Sequence, residues 1–66
     1  MEFDEERKDD RDYVLEMVSK QGSLLDLASD RLKDDKEIVM AAINQDGNVL
    51  EFASDRLKND KEVVLA

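Results

Sequence analysis

The chain has 66 residues, with no cysteine, histidine or proline and only two glycines. Its 18 acidic and 10 basic side chains give a formal net charge of −8. This composition excludes disulfides, thiolate and imidazole catalysis and the usual zinc ligands. It also makes phosphate backbones and anionic membranes poor partners, so neither nucleic acid nor membrane is expected.

The chain opens on an acidic segment. Residues 2–12 carry seven acids and three bases, Glu2, Asp4, Glu5, Glu6, Asp9, Asp10 and Asp12 against Arg7, Lys8 and Arg11. Such a run reads first as a solvated face or frayed end, and second as a docking surface for a basic partner. The start lacks the apolar run of a signal peptide, and no stretch is apolar for long enough to span a bilayer, so a cytoplasmic location is the default expectation.

Residues 9–33 and 34–58 align without gaps, with 11 of 25 positions identical, and residues 59–66 begin a third copy. Two units and a fragment at a fixed period are the signature of a repeat architecture. Residues 1–8 fit as a degenerate preceding unit, with Phe3 aligned to Ala28 and Ala53 and Lys8 to Lys33 and Lys58. The expectation is therefore a single all-α domain over residues 1–66, a small array of 25-residue helix–turn–helix units.

Each unit is predicted to start with a long helix. Its cap is Asp9 or Asp10 in the first copy, Asp34 or Asp35 in the second, and Asn59 or Asp60 in the third. These side chains can accept from the free N–H groups of a first helical turn. Asp12, Glu37 and Glu62 follow at capping-box distance from the earlier candidate. In the first long helix, Tyr13, Val14, Leu15, Met17 and Val18 share one arc, opposite Glu16, Ser19 and Lys20. In the second, Ile38, Val39, Met40, Ala42 and Ile43 repeat that arc and Ala41 replaces Glu16. That helix is apolar over most of its circumference and is expected at the centre.

Gly22 and Gly47 follow the long helices, where a left-handed terminating residue is expected. On that reading Gly47→Val, after the central helix, should cost more than Gly22→Val. A second, shorter helix is predicted over Leu24 to Ala28, and over Val49 to Ala53, bending or restarting at Ser29 and Ser54. Its buried stripe is Leu24, Leu25, Leu27 and Ala28, matched by Val49, Leu50, Phe52 and Ala53.

The runs KQGSLLDLASDRLKDDKEIVMAAI and LEFASDRLKNDKEVVLA resemble the family called domain of unknown function 4116. The resemblance covers about residues 9–66 and implies a short helical tandem repeat. It assigns no activity, so it carries over no catalytic residue. The first copy departs from the pattern at Glu16-Met17, where the second has Ala41-Ala42, which gives the first unit the look of an end unit.

Two groups invite a functional reading. Ser29-Asp30-Arg31 recurs as Ser54-Asp55-Arg56 and could grip an anion or carboxylate through arginine. The structural alternative has serine capping a helical turn while arginine covers apolar surface with its stem. The second is favoured, because catalysis needs a constellation made once. Asn44-Gln45-Asp46-Gly47-Asn48 with Glu51 hints at a calcium loop, but with Gly47 sixth, Ala42 and Ala53 fall where the first and last ligands belong. No catalytic, cofactor or metal residue is therefore assigned, and an enzyme is not expected.

The leading expectation is a non-enzymatic structural or protein-interaction unit. The alternative is a small regulatory domain holding a ligand between helices. The chain ends at Val64-Leu65-Ala66 inside a predicted helix, which reads as a piece of a longer array. Val63, Val64 and Leu65 should form an apolar edge that packs against a neighbouring repeat, the chain's own short helices or a second copy.

Overall fold

The computed structural model describes residues 3–65 and is helical throughout, with no strand among them. Glu2 of the acidic run and Ala66 lie outside the described residues. Five α-helices follow in order: α1 (Arg11–Lys20), α2 (Asp30–Lys33), α3 (Lys36–Gln45), α4 (Asp55–Lys58) and α5 (Lys61–Val64). Three 3₁₀ segments accompany them: a single turn at Glu5–Arg7, a first segment at Gly22–Leu27 and a second at Gly47–Phe52. The bounds of α1, of the first 3₁₀ segment and of α2 recur 25 residues later. None of the helices among the described residues is long and apolar enough to cross a membrane.

Local chemistry explains the starts. The second residue of each acidic pair is the cap. Asp10 accepts from the Tyr13 N–H at 3.2 Å, and Asp35 accepts from Glu37 and Ile38 at 3.1 and 3.3 Å. Asp60 does the same for Glu62 and Val63 at 2.9 and 3.4 Å. The expected capping box does not form, because Glu37 and Glu62 sit one position too early in their helices to reach back. Ser29 and Ser54 cap α2 and α4 through the N–H groups of Leu32 and Leu57, so the short helix restarts there.

The ends differ from the sequence expectation. Neither glycine has a positive φ, and no other described residue has one. The long helices end instead at Gln21 and Asp46, both in extended backbone, with φ −148° and −153°. The chain then turns straight into 3₁₀ helix at Gly22 and Gly47, two residues before the predicted start of the short helix. Gly22 is glycine for another reason. A Cβ there would lie 2.5 Å from the carbonyl oxygen of Ala42 on α3 and 3.2 Å from the Gln45 Cβ. Its place is set by close approach of backbones.

The core is one cluster running the length of the molecule. α1 contributes Val14, Met17 and Val18, and α3 contributes Ile38, Val39, Ala42 and Ile43. Leu24, Leu25, Ala28 and Leu32 fill the space between them, and Val49, Ala53, Leu57 and Val63 close the far side. α3 is central, touching α1, α2, α5 and both six-residue 3₁₀ segments. Leu50 and Phe52 of the expected stripe are only partly buried, and two residues depart further from expectation. Leu27 is exposed, because beyond it lies only the single turn at Glu5–Arg7. Val63 is buried, because the first turn of α5 faces α3 and α4, leaving only Val64 and Leu65 on the exposed edge.

The N-terminal segment is fastened through Tyr13. Its hydroxyl accepts from the Asp4 N–H at 2.8 Å, its ring lies 5.4 Å from that of Phe3, and the Arg7 guanidinium sits 4.2 Å over it. Arginine over an aromatic face is a favourable cation–π arrangement.

Candidate functional site

The polar groups singled out in the sequence meet partners that sequence reading did not find. In the first copy, the Ser29 hydroxyl donates to Asp9 Oδ1 at 2.7 Å. Arg31 clamps the same residue, Nε to Oδ1 at 2.8 Å and Nη2 to the Asp9 carbonyl at 2.8 Å. In the second copy Ser54 and Arg56 grip Asp34 in the same way, both arginine contacts again 2.8 Å. The arginine therefore binds a carboxylate of its own chain. Asp30 and Asp55 take no part and lie in the first turns of α2 and α4.

This explains the doubled acids. One aspartate of each pair caps the long helix and the other holds the short one. Backbone bonds reinforce the joint: Ser29 N–H donates to the Lys8 carbonyl at 2.9 Å and Ser54 N–H to that of Lys33 at 3.0 Å. The spacing of 20 and 22 residues from aspartate to serine and arginine was present twice in the sequence, and that recurrence was the available signal.

A second set of contacts links one long helix to the next. Arg11 Nε lies 2.7 Å from Asp35 and its Nη2 lies 2.6 Å from Glu37. Lys36, at the matching place on α3, lies 3.2 Å from both Asp60 and Glu62. Each cation thus grips the cap and the first-turn acid of the helix that follows.

The charges respond accordingly. The Ser29 hydroxyl and then Arg31 hold Asp9 below the ordinary carboxylate value, as Ser54 and Arg56 do for Asp34. Partial burial pushes Asp35 up, but the bonds from Arg11 and from the Ile38 and Glu37 N–H groups outweigh it and the net shift is downward. Asp60 balances the same way, with burial opposed by Lys36 and the helix N–H groups. Arg11 and Lys36 are raised, chiefly by Asp35 and by Glu62 respectively.

A pH dependence follows. Because the folded value of Asp35 lies below its unfolded value near 3.8, its contribution is complete above the unfolded value and lost as pH falls through the folded one. Asparagine is also a good cap, so Asp35→Asn removes the Arg11 pairing and keeps the cap. Thermal melts should place the variant below the parent at pH 7, with the gap narrowing as pH falls below the unfolded value. A gap that is constant from pH 7 to pH 2.5 would show that the Arg11–Asp35 pair contributes nothing.

Asp46 accepts from the Asn48 N–H at 3.0 Å, a cap for the second 3₁₀ segment, so this loop is held by its own backbone. Among the described residues no three acidic side chains converge as a metal cage would require. A groove of about 630 Å³ lies at the N-terminal end between Phe3, Asp4, Glu5, Glu6 and Leu27. Another of about 350 Å³ runs along Met40, Ala41, Ile43 and Asn44 of α3.

The model of a family described as a domain of unknown function (DUF4116) matches residues 10–56 and again residues 37–66. The chain belongs to that family. The two DUF4116 matches overlap and are staggered, the second starting inside the second sequence copy. No curated protein and no solved structure matches the chain. DUF4116 membership assigns the chain no activity.

Proposed function

We propose that this DUF4116 chain is a non-enzymatic helical repeat module, serving as a structural or protein-interaction unit. The observation that carries this reading is the recurrence of the same polar joints one 25-residue spacing apart, Asp9 with Ser29 and Arg31, then Asp34 with Ser54 and Arg56. Side chains that would bind a substrate are spent on holding one segment to the next. The Arg11 and Lys36 bridges do the same between long helices. The two staggered family matches support the repeat reading independently. Arrays of this kind derive stability from contacts between neighbours and present an extended surface to a partner.

The competing reading is a regulatory domain with a small ligand between its helices. Thermal melts against a panel of anionic, cationic and neutral metabolites at millimolar concentration separate the two. No metabolite should move the midpoint, whereas a cognate protein partner should raise it saturably. A saturable rise of several degrees with a small molecule would overturn the module reading in favour of ligand binding.

A further inference from the structure

On the side of α3 that faces away from α1, α5 gives only partial cover, because it is four residues long. Ala42 and Gln45 approach Gly22 on one face of α3. At about 100° per residue, Met40, Ile43 and Asn44 lie on the opposite face, and they line an open groove of about 350 Å³. We propose that this face, with Gly47 and Lys61, is a docking site for one more unit of the chain's own 25-residue pattern, joined as a continuation of α5. The proposal rests on the repeat-module reading.

Three observations name that occupant. Gly22 leaves room that the Ala42 carbonyl fills, whereas a Cβ at Gly47 would meet nothing within 4 Å. A glycine in the same position, with the same negative φ, thus keeps an unfilled space where the next helix backbone would pass. Second, Val14 and Val39 are fully buried while their counterpart Val64 is 50 % exposed. Third, Arg11 and Lys36 each grip carboxylates 24 and 26 residues ahead, and Lys61, next in that series, has no ion pair among the described residues. It presents a cation to the cap and first-turn acid of a following helix.

A second copy of this chain fits less well. Its α1 would need the place that α5 holds, and it carries Met17 where the helix closing on a glycine has Ala42. Two chains of net charge −8 also repel each other.

The test appends a copy of residues 42–66 directly after residue 66, which keeps the register. The extended chain should gain helical circular dichroism and melt higher, by about 10 °C. Gly47→Ala should be harmless in the 66-residue chain but lower the midpoint of the extended chain as Gly22→Ala does in both. Lys61→Gln should likewise matter only in the extended chain. An added segment that stays unfolded, or a folded one in which Gly47→Ala and Lys61→Gln remain silent, overturns the docking proposal. If Gly22→Ala is itself harmless in the 66-residue chain, the close approach on which the Gly47 comparison rests is absent and the docking proposal fails with it, whereas the module reading fails separately, on a saturable rise of the midpoint with a small metabolite.

Discussion

Gly22→Ala is expected to destabilise the fold by about 1–3 kcal/mol, the usual cost of forcing an extra group into a packed site. The new Cβ would sit 2.5 Å from the Ala42 carbonyl oxygen. That oxygen belongs to the backbone of α3, so relief requires the central helix to move. The same change at Gly47 meets open space and a φ that alanine accepts. Restricting the unfolded chain should then stabilise by about 0.4–1 kcal/mol. Valine should keep the order, Gly22→Val far worse than Gly47→Val, which reverses what a left-handed cap after the central helix would require. Urea melts of the four variants decide it, and equal losses at the two positions would remove the close approach as the reason for Gly22.

A second large effect is expected at Ile38, fully buried on the central helix α3. Truncation to alanine removes apolar contacts and leaves a cavity, at a typical cost of about 2–5 kcal/mol. A domain of this length has on the order of 3–10 kcal/mol in all. Ile38→Ala should therefore lower the melting temperature by at least about 10 °C or leave the chain partly unfolded at 25 °C. Val64→Ala, half-exposed on α5, is the matched control and should stay within about 0.5 kcal/mol of the parent. Similar midpoints for the two variants would contradict the central position of α3.

The contrast between these residues separates what each level of description determines. The sequence by itself determined the helical class, the 25-residue period and the apolar arcs of α1 and α3. It also placed the cap within one residue and the restart at Ser29 and Ser54. All of these follow from local physics: side-chain periodicity along a helix and the need of a first turn for acceptors. Tertiary structure alone decided which aspartate of each pair caps and which one Ser29 and Arg31, or Ser54 and Arg56, would hold. It also decided the pairing of Arg11 with Asp35 and Glu37, which are 24 and 26 residues away. Leu27 lost its expected burial because the element that would cover it is a single turn. Gly22 shows the reason most plainly. A glycine after a helix can be required by its own φ or by a neighbour's approach, and only the position of Ala42, twenty residues on, distinguishes the two.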